Sequence, residues 1–137
     1  HPSRPCEFYK NTTAITPNLN EGIKLLNLKK NLDPEEIVKK LYEKCNNEIT
    51  LLTLGPRGMV LYDGKLKHHI PTHARHVYDV TGAGDTVVSL FALGFVSGFK
   101  PIEAAVLANY GASHVVGEVG TAYCTIDIIR KIIKDDR

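Results

Sequence analysis

The sequence has no tryptophan, one methionine and three cysteines in 137 residues. Cys6, Cys45 and Cys124 are widely spaced, with no CxxC pair and no His/Cys cluster. That pattern argues against a zinc site or a disulfide framework and for a reducing cytoplasm. No run reaches the roughly 18 apolar residues of a membrane span, and no charged-then-apolar leader is visible, so neither anchoring nor secretion is expected. Charge of one sign is also lacking. Seventeen Lys and Arg face fifteen Asp and Glu, giving +2, and they are interleaved, so neither nucleic acid nor an anionic membrane is an expected partner. There is no internal repeat, low-complexity tract or linker.

What is present suffices for one domain: 43% hydrophobic and 23% charged residues are ordinary for a chain that buries a core. Thr13 to Thr16 reads as a short strand stopped by Pro17, and a helix carrying Ile23, Leu25 and Leu26 follows Asn18. Asp33-Pro34-Glu35-Glu36 reads as a capping box opening a helix to about Cys45. Ile49 to Leu54 suits a parallel strand covered on both faces. Met59 to Tyr62 and Leu66 to Ile70 flank Asp63-Gly64, predicting a two-residue type I′ hairpin with an exposed tip. Val87 to Val96 predicts a buried helix closed by Gly98, Pro101 opens a helix to about Val115, and Thr125 caps a last one. Alternating strands and helices predict an α/β fold with a mostly parallel sheet, whose ligands bind beyond the carboxyl ends of the strands.

The most informative residues are Asp79-Val80-Thr81-Gly82-Ala83-Gly84-Asp85-Thr86. Gly82, Ala83 and Gly84 allow successive amides to point into one concavity, and a helix from about Asp85 adds its positive end, which together hold an anion. Asp85 at the mouth can accept the proton of an attacking hydroxyl while the amides stabilise charge on a transferring phosphoryl group. A plain tight turn before a helix gives the same pattern, and the turn by itself leaves the two readings even.

The stretch from Pro71 to Thr86 resembles the C-terminal signature of the ribokinase-like (PfkB) carbohydrate kinases. Ile15 to Glu21, Thr53 to Met59, Leu107 to Asn109 and Val115 to Ala122 extend the likeness over most of the chain. Within the family it most resembles the heptose 7-phosphate kinases. The resemblance implies a three-layer ribokinase-like fold with a terminal β-hairpin, of which residues 1–137 form the C-terminal nucleotide-binding and catalytic half. It implies an anion hole at Gly82, Ala83 and Gly84, with Asp85 as general base toward the γ-phosphate of ATP.

The resemblance also places Asp79 near a nucleotide or monovalent-cation site, where an Asx turn is the alternative. It gives Asn18 and Glu21 to magnesium, although their spacing equally makes a capping box. Thr53, Gly55 and Gly58 become a nucleotide-contacting turn, otherwise a plain strand-ending turn. Asn109 would line an adenine pocket among small neighbours, or else be exposed or packed against a helix. Gly117 to Thr121 resembles a loop closing over the nucleotide and offering carbonyls to a potassium-like ion. His68, His69, His73 and His76 match no metal-ligand spacing and receive no chemistry.

His1-Pro2-Ser3 stands where many heptose kinases read Asp-Pro-Lys, so the acidic and basic side chains are absent. The family's N-terminal half, with its sugar-binding strands, lies outside these residues and is an implied partner. The implied activity is an ATP- and Mg2+-dependent kinase acting on the anomeric hydroxyl of a heptose 7-phosphate, in ADP-heptose synthesis. The intact protein would be a cytoplasmic homodimer. The alternatives are a family kinase for ribose, a fructose phosphate or a nucleoside, and a non-catalytic nucleotide-binding half.

Overall fold

The computed structural model describes residues 4–29, 32–74 and 76–135. They divide into two compact units, His1–Pro71 and Thr72–Arg137.

The first unit begins with a 3-10 turn at Cys6–Tyr9 and strand β1 (Ala14–Ile15). Helices α1 (Leu19–Leu26) and α2 (Pro34–Cys45) then cross over to β2 (Ile49–Thr53), which lies parallel to β1 with Ala14 opposite Ile49. Strands β3 (Met59–Tyr62) and β4 (Lys67–Ile70) add antiparallel neighbours, giving the order β1-β2-β3-β4. The α/β class and the terminal hairpin are as predicted. Only one of these pairings is parallel, however, where a mostly parallel sheet is expected. Parallel neighbours need a long crossover, and this unit contains a single one, through α1 and α2. Ile37, Val38, Leu41, Leu52 and Val60 form the core beneath the helices. Gly22 lets α1 pack closely on the sheet: a Cβ there would lie 3.1 Å from Leu52 Cδ1.

Three local expectations need correction. Asp33 caps α2 by accepting from the amide of Glu35 at 2.9 Å rather than from Glu36, so the cap closes one residue early. The β3–β4 connection spans residues 63–66, not two, because Tyr62 pairs with Lys67. Asp63 Oδ1 accepts from the amides of Lys65 at 3.0 Å and Leu66 at 2.9 Å, folding the turn around its own side chain. Gly64 alone takes positive φ in this turn, 86°, and the Tyr42 hydroxyl occupies the space a Cβ would need. Finally, Cys6 and Cys45, both wholly buried, form a disulfide between the 3-10 turn and the end of α2. Spacing along the chain does not show that two cysteines 39 positions apart meet in a core, and with this bond the cysteines no longer point to a reducing compartment.

The second unit contains α3 (Ala83–Val96), α4 (Pro101–Val116) and α5 (Ile126–Asp135). Val87, Leu90, Phe91 and Gly94 of α3 are buried. A Cβ on Gly94 would lie 3.2 Å from the Cβ of Ala104, so glycine sets how closely α3 and α4 approach. The predicted glycine closure of α3 is present: Gly98 has φ 91°, and Phe99 and Gly98 donate to the carbonyls of Gly94 and Phe95, both at 3.1 Å. The predicted burial of α3 holds on one side only, since Val88, Leu93 and Val96 are exposed. Thr125 Oγ1 caps α5 by accepting from Ile128 at 3.3 Å. Among the described residues no helix is long and apolar enough to cross a membrane.

Candidate active site

In the second unit the segment before α3 is held at both ends. The amide of Tyr78 donates to the carbonyl of Val116 at 2.8 Å, tying it to the last turn of α4. Asp79 Oδ1 accepts from the amide of Thr81 at 2.8 Å, which is the Asx-turn arrangement. The Thr81 hydroxyl first, and then its amide, hold the Asp79 carboxyl below its ordinary range.

Gly82 is the N-cap of α3 at φ 81°, a left-handed conformation that glycine takes without a Cβ penalty. The helix therefore starts at Ala83, two residues earlier than expected, and Asp85 occupies its third position. Ala83 N–H donates back to the Val80 carbonyl at 3.2 Å, and the amides that follow point out of the helix N-terminus. Asp85 is exposed in that first turn, among these amides and the positive end of the helix dipole. The arrangement combines a proton acceptor with an anion-binding helix end.

Thr86, to which the sequence reading gave no role, fixes this geometry. Its amide and its hydroxyl both donate to the Gly82 carbonyl, each at 2.9 Å. A threonine four residues after a helix-capping glycine was the available signal.

Asn109 is buried in α4, only 2% exposed, which removes the exposed alternative. Its small neighbours let α3 and α4 approach closely. Ala104 and Ala108 are wholly buried, and a Cβ on Gly111 would run into Leu90 Cδ1. The Gly117 to Thr121 loop caps α4 with Gly117 and turns at Gly120, φ 81°.

In the first unit, Asn18 and Glu21 form a reciprocal capping box on α1. Asn18 Oδ1 accepts from the Glu21 amide at 2.9 Å, and Glu21 Oε2 accepts from the Asn18 amide at 2.8 Å. Asn18 also bridges to Thr53, whose amide donates to the Pro17 carbonyl at 3.0 Å. The structure thus brings together Asn18, Glu21 and Thr53 at the carboxyl ends of the parallel strands β1 and β2, where open α/β sheets bind ligands. Beyond Thr53, Leu54 N–H donates to the Gly58 carbonyl at 2.8 Å and closes a turn that leaves Gly55 exposed and Gly58 buried. Among the described residues no group of three His, Cys, Asp or Glu side chains is arranged to hold a metal. Magnesium binds through one or two carboxylates plus waters and phosphates, a demand that the single carboxylate of Glu21 fits.

The model of the pfkB family carbohydrate kinases matches residues 3–128. The bifunctional protein HldE of Aliarcobacter butzleri is 40% identical over 123 residues, covering 88% of this chain and 26% of its own. That of Campylobacter concisus is 36% identical over 127 residues, covering 91% and 27%. The chain thus spans about a quarter of the length of these curated relatives. Among solved structures, a ribokinase from Thermotoga maritima superposes with a TM-score of 0.87 at 24% identity, over 97% of this chain and 46% of that one. Arabidopsis thaliana ribokinase complexed with ribose and ATP gives 0.82 at 26% identity, over 95% and 43%. A left-handed glycine cap on α3, a carboxylate in its first turn, and these matches along nearly the whole sequence agree: the chain belongs to the pfkB family of carbohydrate kinases.

Proposed function

We propose that this chain is the nucleotide-binding and catalytic-base portion of an ATP-dependent sugar kinase acting on the anomeric hydroxyl of a heptose 7-phosphate. The observation that carries the reading is Asp85 in the first turn of α3, directly after the left-handed Gly82 cap. The acceptor oxygen forms its bond to the γ-phosphorus as the bond to the bridging oxygen of ADP breaks, and Asp85 takes the hydroxyl proton. The amides at the start of α3 stabilise the charge on the phosphoryl oxygens.

The nucleotide contacts are assigned to Thr53, Gly55 and Gly58, and magnesium to Glu21 with Asn18. Magnesium supplies charge neutralisation at the phosphates. Asp79 shapes the turn and lies on the nucleotide side, and Asn109 is assigned to the adenine pocket by the motif resemblance. The carbonyls of Gly117 to Thr121 are assigned to a monovalent cation. The heptose acceptor rests on the motif resemblance, as do a cytoplasmic location, a homodimer and a place in ADP-heptose synthesis.

The test is transfer of labelled γ-phosphate from ATP by this chain assembled with the rest of its kinase domain. Heptose 7-phosphate, ribose, fructose 6-phosphate and a nucleoside are offered separately. Preferential labelling of the heptose supports the reading. Preference for another acceptor corrects the substrate, and no labelling of any acceptor removes the kinase reading in favour of a non-catalytic nucleotide-binding half.

A further inference from the structure

The Cys6–Cys45 bond lies against the last turn of α1. Cys6 Sγ is 4.0 Å from the carbonyl oxygen of Leu25, and the Lys44 ammonium donates to the same oxygen at 2.8 Å. In the bonded state Cys6 has no proton for that oxygen; once reduced, its thiol finds an acceptor in reach, so the dithiol form also has a place in the fold. Lys44, next to Cys45, brings a cation to the sulfurs, which favours the thiolate through which exchange proceeds. The bond is not the only tie between its two elements. The amide of Asn11 donates to the Asn46 carbonyl at 3.1 Å, and the Asn46 side-chain amide to Asn11 Oδ1 at 2.7 Å, holding the chain after the 3-10 turn to the C-cap of α2. Domains that depend on disulfides are those without a sufficient core, whereas Ile37, Val38, Leu41, Leu52 and Val60 supply one here. Pro5 and Glu7 on either side of Cys6, and Lys44 beside Cys45, line a cavity of about 580 Å³, and Glu21 in the first turn of α1 lines it too. A local shift of the 3-10 turn therefore displaces a cavity wall and uncovers the sulfurs while the core stays closed.

We infer that Cys6 and Cys45 are a reversible thiol–disulfide site for a dithiol reductant, and that its state sets the rigidity of α1 and the position of Glu21. The step to Glu21 rests on its assignment to magnesium above. One thiolate of the dithiol attacks a sulfur of the pair, the protein S–S bond breaks, and a mixed disulfide forms. The second thiolate attacks that mixed disulfide. The reductant leaves as its own disulfide, and its two electrons and two protons remain on Cys6 and Cys45 as thiols. An oxidised partner of the same class reverses each step. Bonded, the pair clamps the 3-10 turn to α2 beside Leu25. Unbonded sulfurs keep van der Waals separation, so reduction moves the turn away from α2 and frees the end of α1. That helix has eight residues, and Glu21 stands one turn before Leu25 on the same face, so a shift at one is carried to the other.

The experiment uses a Cys124→Ser chain, which leaves Cys6 and Cys45 as its cysteines. It is equilibrated from both directions in mixtures of reduced and oxidised dithiothreitol and quenched with N-ethylmaleimide, and amide exchange is followed in the oxidised and reduced forms. Expected are two labels gained together at the same mixture from either direction, and α1 amides exchanging at least about tenfold faster when reduced, with β2 and β3 unchanged. Failure of the folded dithiol to re-form the bond overturns the assignment, as does equal exchange of α1 in both states. Loosening of β2 and β3 together with α1 also overturns it, since the bond is then a structural staple. Cys6→Ala with Cys45→Ala should exchange like the reduced form in every mixture, and a remaining response to the mixture counts against the pair. In the assembled kinase domain, reduction should raise the Mg2+ concentration for half-maximal transfer by about tenfold, and the double variant should show no redox response. A loosened α1 with unchanged Mg2+ dependence overturns the step to Glu21 and supports the exchange site. No transfer in either state removes the kinase reading, and amide exchange still decides the site.

Discussion

Thr86 binds the carbonyl of Gly82 twice, through its amide and through its hydroxyl, each at 2.9 Å. The pair brackets Ala83, Gly84 and Asp85, so the left-handed cap and the first turn of α3 are fixed as one unit before any ligand arrives. Pre-organisation of this kind is what lets helix amides act on developing charge without reorganising during the reaction.

Gly82→Ala puts a Cβ at φ 81° where no neighbouring atom lies within 4 Å, so its cost is conformational strain alone, about 1–2 kcal/mol. Thr86→Val removes the hydroxyl bond and costs about 0.5–1.5 kcal/mol. Urea unfolding of each variant measures both, and an unchanged midpoint for Gly82→Ala would contradict the left-handed cap.

Gly94→Val drives a side chain into Ala104, whose Cα lies 3.3 Å from the added Cβ. Backbone cannot swing aside as a long side chain can, and a loss of about 1–3 kcal/mol is expected, read as a lowered thermal midpoint.

Asp79 contributes to the acid side of the stability curve. Its folded pKa lies below the ordinary 3.8, so its contribution is present above that value and is lost as pH falls through the lower folded one. Asp79→Ala abolishes that component. Urea midpoints followed from about pH 6 to about pH 2 should therefore converge for the two proteins at the acid end.

Much of the fold was legible because local chemistry announces it. Pro34 after Asp33 opens α2, Gly98 closes α3, and Asn18 with Glu21 make the box that starts α1. The α3 run from Val87 to Val96 is apolar nearly all round, and such a pattern does not say which side is buried. The hairpin was misread because the Asp63 carboxylate, accepting from two amides, outcompetes the two-residue turn its sequence suggests. At the site, the glycine-rich turn before α3 was legible from the motif, whereas Thr86 was passed over although it stands four residues after Gly82, the spacing at which its hydroxyl reaches that carbonyl.

The Cys6–Cys45 bond closes a long loop across the core of the first unit. Reduction with dithiothreitol should lower stability by about 2–4 kcal/mol, and mass spectrometry of the alkylated, unreduced chain should find only Cys124 modified. Alkylation of all three cysteines without reductant would contradict the pairing.

The central claim is that Asp85 is the base of a sugar kinase. The most direct measurement is turnover of Asp85→Asn in the assembled kinase domain, with ATP binding followed in parallel by calorimetry. The account predicts a fall in turnover of about 10²–10⁴-fold with ATP affinity nearly unchanged. Near-normal turnover would contradict it.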